Sequence, residues 1–496
     1  MSQSAQKSFM GHPKGLATLF FTEMWERFSY YGMKAILMLF MVTDTAQEGL
    51  GIENETAGAA YGLYAAGVYL LTLPGGWLAD NVFGQRKAVW YGGILIMIGH
   101  IILAISSIPA VFFLGLCFIA MGTGLLKPNI STMVGDLYPE GGARRDAGFS
   151  IFYMGINIGS VLGQIIVPIL AENVNWHLGF GIAAVGMFLG LVQYRMTQGS
   201  LDEIGVVPKA KVTDGSVEKA NSTIGIILAV ALVGLIALLQ MFGVVDLTTA
   251  IGIRDTLGVV IVLVTLFFFL YIFLGGGLNA DEKKKMVVVA LLFVGAAIFW
   301  SGFEQAPTTL TLFARDLTDR DIFGFNLAAG SVQFINPLFI IILTPLFGAL
   351  WIKLAAKNLN PSTPLKFGFG LILMALGFLV MVKAAEIATP ENKVGLYWFI
   401  LTYFLHSAGE LTLSPVGLST MTKLAPARFY GQIMGLWFVA TALGNLIAGW
   451  YGGEFDANNL EQMPSLFMSI VWLGLGAGIV FVALSPIAKK WMGDVK

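Results

Sequence analysis

Residues 22–32 read TEMWERFSYYG, near the start of an apolar run from about Leu16 to Val42. A run of that length exceeds the ~20 residues a helix needs to cross hydrocarbon. Within such a helix Glu23, Glu26 and Arg27 would each cost about 2.5–3.5 kcal/mol at the bilayer centre. The stretch therefore describes a membrane span that carries charge for a reason. Its meaning depends on whether the rest of the chain repeats the pattern.

It does. The chain has 496 residues, of which 56% are hydrophobic and only 12% charged. A soluble domain is nearer one quarter charged, so the composition implies a polytopic, all-α membrane protein. Apolar windows place spans at 16–42, 57–79, 88–106, 110–134, 147–171 and 177–196. A polar linker, 197–222, precedes two spans at 223–243 and 256–275. Six more follow at 286–312, 325–352, 366–385, 395–420, 430–451 and 465–488, making 14 transmembrane helices. The first fifteen residues are polar and lack an apolar core, so no secretory signal is expected. Cys117 is the single cysteine, which excludes disulfides and a cysteine-metal framework. No cofactor, metal or nucleic-acid partner is expected; the lipid bilayer is the expected surrounding.

Basic residues test the threading. With the N-terminus inside, 21 Lys and Arg fall on the cytoplasmic side and 5 on the other, while Arg27, Lys34 and Lys127 stay within spans. That bias is what the positive-inside rule demands of a correct topology, and it puts both termini in the cytoplasm. Two six-helix halves around a basic linker suggest the major-facilitator fold, with two extra central helices and a site at the midplane between the halves. The corresponding units are 1–196, 197–285 and 286–496. GGWLADNVFGQRK (Gly75–Lys87) resembles that superfamily's signature, with Gly76, Asp80, Gly84, Arg86 and Lys87 on the pattern. Its small glycines are expected to let neighbouring helices approach. The equivalent stretch of the second half keeps a glycine and lysines but lacks the aspartate, so the repeat is degenerate. The two middle spans carry no charge and read as lipid-facing accessories.

Seven ionisable groups lie within the spans: Glu23, Glu26, Arg27, Lys34, Lys127, Glu304 and Glu410. At 100° per residue the polar groups of the first helix, Tyr30 and Tyr31 included, occupy an arc of roughly 140°. Tyr153, Asn157, Ser160 and Gln164 form a similar stripe, as do His406, Glu410 and Ser414, and Trp300, Glu304 and Thr308. A hydrated, bipolar pocket lined from both halves follows, suited to a zwitterion. Four carboxylates face three cations, leaving one acid free to take a proton. A carboxylate that loses its cation to a substrate has its pKa raised by desolvation, which is a physical route to proton coupling.

These residues resemble the proton-dependent oligopeptide transporter family. Glu23–Gly32 is similar to its ExxER-F-x-YYG signature. Gly122–Ser131, Phe149–Ser160 and Gly409–Leu418 resemble its motifs in helices four, five and ten. The resemblance implies import of di- and tripeptides together with protons, by alternating access and without a cofactor, through a bacterial cytoplasmic membrane. It implies proton-coupling roles for Glu23, Glu26, Arg27, Lys127, Glu304 and Glu410. It implies gate pairs Lys34–Glu304 and Lys127–Glu410. It implies peptide contacts from Tyr30, Tyr31, Lys34, Tyr69, Lys127, Asn157, Trp300, Asn336, Glu410, Ser414 and Trp437. Lys34 replaces the arginine many relatives have, keeping the charge but losing the bidentate fork. The second helix lacks the histidine of mammalian members; His12, His100 and His177 are expected in termini or loops, and His406 reads as a hydrogen-bonded structural residue.

Other readings remain at this point. A carrier for nitrate or an amino acid would share the fold, although carboxylates on both halves would repel a simple anion. A membrane enzyme lacks a visible site, because no GxxxxGK[ST], HExxH or G-x-S-x-G motif occurs. A passive channel or receptor is disfavoured by the intramembrane carboxylates and by the lack of a signalling domain.

Overall fold

A computed structural model of the chain describes residues 9–208, 234, 236–456, 459 and 462–493. The first half comprises α1 (Lys14–Val42), α2 (Asn54–Leu70) continued by α3 (Thr72–Leu78), α4 (Gln85–Ile105), α5 (Pro109–Asp136), α6 (Gly142–Asn173) and α7 (Trp176–Thr197). Next come α8 (Ala250–Gly275), α9 (Ala280–Phe303) continued by α10 (Thr311–Leu317), and α11 (Ile335–Ala356). The chain ends with α12 (Thr363–Ile387), α13 (Tyr397–Leu424), α14 (Tyr430–Gly453) and α15 (Met463–Met492). Among the described residues 11 helical stretches are long and apolar enough to cross a membrane. The charged α1 and the Glu410-bearing α13, at 29 and 28 residues, run beside them. The arrangement is the major-facilitator fold, two six-helix bundles with an accessory segment between them in sequence. The linker beyond residue 208 and most of the expected span 223–243 lie outside the described residues; 236–241 is helical.

Two boundaries depart from expectation. The span expected at 325–352 begins with a 3-10 turn, Gly330–Phe334. Thr318–Asp319 (β1) pairs in parallel with Val394–Gly395 (β4), while Asp321–Ile322 (β2) and Phe325–Asn326 (β3) form a hairpin. The apolar FNLAAGSVQF stretch concealed this excursion, because hydropathy does not distinguish a buried turn from a helix. The span expected at 286–312 is not continuous either. Pro307 has no N–H to give the Phe303 carbonyl, and Ala306–Leu310 forms a wide π turn before α10 resumes. Near Pro74 the helix is likewise interrupted at Leu71.

Close backbone contact holds the helices together, as expected where lipid offers no hydrophobic contrast. Gly155, Gly159 and Gly163 form a stripe along α6; a Cβ on Gly159 would stand 2.1 Å from the Met24 carbonyl oxygen. α1 therefore lies directly on α6. Across the halves, Gly58 of α2 meets Gly449 of α14, where a Cβ would stand 2.4 Å from the Gly449 carbonyl oxygen. The signature glycines divide differently from the sequence reading. Gly76 has open space around it, whereas a Cβ on Gly75 would lie 2.1 Å from the Gly124 carbonyl oxygen. Gly84 sits at φ 77°, a turn conformation that favours glycine. α8 packs Ile261 against Ala66, Ala442 and Leu446 and also buries Arg254, Thr265 and Ile272, while its other residues are exposed or half-buried.

Candidate functional site: the cavity between the halves

A cavity of ≈ 400 Å3 lies between the two bundles. From the first half it is lined by Arg27, Tyr31 and Lys34 of α1, Tyr69 of α2, Lys127 of α5, and Tyr153, Asn157, Ser160 and Gln164 of α6. The second half contributes Trp300 of α9, Glu304 at its end, Asn336 of α11, His406, Glu410 and Ser414 of α13, and Trp437 of α14. The α6 and α13 stripes thus project into one space, because residues three and four apart share a helix face.

Lys34 Nζ donates to Glu304 Oε2 at 2.5 Å, both side chains being buried. The break after Phe303 makes this possible: Glu304 caps α9 and its side chain crosses to α1. Polar contacts between the halves gather around and beyond this pair, on the face opposite the N-terminus. Glu172 of α6 accepts the backbone N–H groups of Ala329 (2.7 Å) and Gly330 (2.8 Å). Arg320 lies 3.7 Å from the same carboxylate. Burial lowers the Arg320 pKa, while Glu172 and Asp316 act in the opposite direction. Asn54 Nδ2 donates to the Phe455 carbonyl at 2.6 Å.

Deeper along α1, Arg27 Nε donates to Glu23 Oε1 at 2.7 Å and stands 3.1 Å from Glu26 Oε2. Glu23 and Glu26 are fully buried behind Arg27 and do not line the cavity. Lys127 Nζ sits 4.2 Å above the Tyr69 ring. Asn336 Nδ2 donates to Ser407 Oγ at 2.9 Å and to Glu410 Oε2 at 3.5 Å. Lys127 and Glu410 share the cavity, but no ion pair joins them among the described residues.

Tyr30, expected to touch peptide, is not in the lining; it is buried, flanked by Arg27 (5.8 Å) and Lys34 (5.8 Å) beneath its ring. Only the Arg27–Tyr31–Lys34 side of the polar arc faces the cavity. Thr308 also departs from its stripe. The π turn rotates it onto Gln305, 3.4 Å away, and out of the lining. His100 is not in a loop but inside α4, fully buried, with neither ring nitrogen partnered among the described residues. His406 places Nε2 3.2 Å from the Met374 carbonyl, with its ring centre 4.9 Å from that of Phe378 at a tilt of 40°, so it is a hydrogen-bonded residue within the wall. Gln333, Tyr403 and Thr441 line the cavity without having been singled out. Helical spacing from His406 and Trp437 signalled Tyr403 and Thr441; Gln333 lies in a 3-10 turn that follows no such period. Among the described residues no group of His, Cys, Asp and Glu is arranged to hold a metal ion.

Comparison with known proteins agrees with this architecture. A family model described as "POT family" matches residues 86–473. The chain is 42% identical over 501 residues to the peptide transporter YePEPT of Yersinia enterocolitica, covering 97% of this chain and 96% of that one. It is 38% identical to the di-/tripeptide transporter of Lactococcus lactis subsp. lactis, covering 99% of each. A crystal structure of a peptide transporter POT in complex with sulfate superposes with TM-score 0.88 at 41% identity, over 98% of this chain and 97% of that chain. With a family match over most of its length and the same bundle-and-cavity architecture, the chain belongs to the POT family, the proton-dependent oligopeptide transporters, and is a membrane transporter rather than an enzyme.

Proposed function

We propose that this transporter is a proton-coupled symporter that imports di- and tripeptides by alternating access. Its setting is the bacterial cytoplasmic membrane, with both termini inside and units 1–196, 197–285 and 286–496. One observation carries the reading. Arg27, Lys34 and Lys127 line the cavity from the first half, while Glu304 and Glu410 line it from the second. A short peptide is a zwitterion, with termini separated by ~3.3–3.6 Å per residue. Lys127 and Arg27 hold its carboxylate, Glu410 its ammonium, and Asn157 and Asn336 its backbone. Tyr31, Tyr69, Trp300, Ser414 and Trp437 surround its side chains. The names of the Yersinia and Lactococcus relatives support a peptide substrate.

Coupling follows from the buried pairs. A proton on Glu304 removes the charge that holds Lys34, so the outer gate opens. Loss of the proton restores the pair and closes it. Lys127 and Glu410 pair in the complementary state, and the Glu23–Arg27–Glu26 group responds when substrate draws Arg27 away. The arrangement with Lys34 and Glu304 joined is the inward-facing member of the cycle. An inward potential of 100 mV adds about 2.3 kcal/mol per charge.

Purified protein in liposomes, given labelled dialanine with and without an inward proton gradient, tests this. Concentrative uptake is expected only with the gradient, and Glu23→Gln is expected to exchange without accumulating. Folded protein that takes up no dialanine would sink the peptide assignment. Uptake indifferent to the gradient would sink the coupling.

A further inference from the structure

Behind the cavity wall lies a second polar set. Glu23 Oε2, Glu26 Oε1 and the hydroxyls of Tyr30, Tyr61 and Tyr64 are buried, with no hydrogen-bond partner among the described residues, while Glu26 Oε2 has the Arg27 ion pair at 3.1 Å and no hydrogen bond. Glu23, Glu26 and Tyr30 share one face of α1, and Tyr61 and Tyr64 one face of α2, at i, i+3 spacing. Lys34 Nζ is 5.8 Å from the centre of the Tyr30 ring and 5.9 Å from that of Tyr61, so both tyrosines flank the Lys34–Glu304 pair. α1 and α2 run in opposite directions. Travelling from that pair toward the N-terminal face therefore meets Tyr61, then Tyr30 and Tyr64, then Glu26. Neither Glu26 nor any of these three tyrosines lines the cavity.

Packing alone does not account for this. Phenylalanine would fill the same space without burying a hydroxyl, and buried hydroxyls are as a rule partnered by protein or by ordered water. Here three recur on α1 and α2, at helix levels between that of the Lys34–Glu304 pair and that of Glu26. A phenol hydroxyl both donates and accepts, so it can transmit a proton and stay neutral.

We propose that Tyr61, Tyr30 and Tyr64 form a relay that carries the coupled proton from Glu304 to Glu26 beside the substrate cavity. This rests on the proton-coupled reading above. Protonated Glu304 gives its proton to the oxygen of the next hydroxyl, or of a water bridging to it, as that oxygen releases its own hydrogen onward. Each O–H broken is matched by one formed, every hydroxyl ends neutral, Glu304 ends as the carboxylate paired with Lys34, and Glu26 ends as the neutral acid. Single waters span gaps too long for direct O–H···O contact. Lys34 and Glu304 face the outer end, Glu23 and Arg27 the inner end, and Lys127 of α5 approaches from the cavity side. These cations disfavour a free hydronium and favour transfer through neutral hydroxyls. Because the route avoids the cavity, a bound peptide does not block it.

The test uses the full chain in liposomes, comparing wild type with Tyr64→Phe, Tyr61→Phe and Tyr30→Phe. Two quantities are read: gradient-driven accumulation of dialanine with its accompanying proton influx, and gradient-free exchange of labelled for unlabelled dialanine. Tyr64→Phe is expected to keep wild-type exchange and half-saturation while accumulation and proton influx fall at least tenfold. Equal accumulation in wild type and all three variants overturns the relay, as does parallel loss of exchange and accumulation, which marks a structural role. A wild type indifferent to the gradient overturns the coupled reading itself. If Tyr64→Phe fails to give a monodisperse protein, Tyr61→Phe and Tyr30→Phe answer the same question.

Discussion

The Lys34–Glu304 pair shows what a buried charge does at the scale of one residue. Neither partner is exposed enough to be solvated, so each depends on the other. Removing one side of such a pair typically costs 3–5 kcal/mol, whereas replacing both by apolar residues is often neutral. Glu304→Ala is therefore expected to lower the thermal midpoint in detergent, and Lys34→Met with Glu304→Leu to recover most of the loss. Uptake should fail in both. A double variant no more stable than Glu304→Ala would show that the pair's geometry, not the uncompensated charge, governs stability. Lys34→Arg keeps the charge and adds the fork, so it should retain gradient-driven uptake.

Among the elements, α6 and α9 position the site by opposite devices. The glycine stripe of α6 brings α1 into backbone contact and so presents Arg27 and Asn157 to the same cavity. Gly159→Leu inserts a side chain where even a Cβ would stand 2.1 Å from the Met24 carbonyl oxygen. Overpacking of this kind costs about 1–3 kcal/mol or more. We expect loss of monodisperse protein on size exclusion, with Gly76→Ala as the tolerated contrast because open space surrounds it. Normal behaviour of Gly159→Leu would mean that α1 and α6 separate readily. α9 works through its break at Pro307. Pro307→Ala supplies the missing N–H and favours a continuous helix, which turns Glu304 away from Lys34. Its expected signature is reduced uptake with folding retained.

At the scale of the whole molecule, the two halves meet on the face opposite the N-terminus, and in the proposed cycle these contacts are the closed gate. Asn54 and Phe455 approach across that face. In a Cys117→Ser background, a short thiol crosslinker joining Asn54→Cys to Phe455→Cys should abolish uptake. Thiol labelling of a cavity cysteine at Ser414, applied from the N-terminal face, should continue. Transport surviving complete crosslinking would show that these helices need not part during the cycle.

Much of this was present in one dimension. Span count, helix length, the sidedness of basic residues and the stripes on α1, α6 and α13 follow from the thickness of hydrocarbon and the 3.6-residue period, which act locally. The intramembrane charges stand out for the same reason, since apolar surroundings make each one costly. What the period leaves open is which part of a polar arc faces which neighbour. Tyr30 and Tyr31 are adjacent in sequence, yet only Tyr31 reaches the cavity, because α2 occupies the other side of α1. Thr308 and Gln333 were misplaced or overlooked where a π turn and a 3-10 turn replaced the assumed helix. Sequence by itself determined a charged helical bundle of the major-facilitator kind. Only the tertiary structure decided that Lys34 meets Glu304, as the family resemblance implied, that Lys127 and Glu410 are apart, against what it implied, and that the hydroxyls of Tyr30, Tyr61 and Tyr64 are buried without partners among the described residues, because each depends on helices distant in the chain meeting in space.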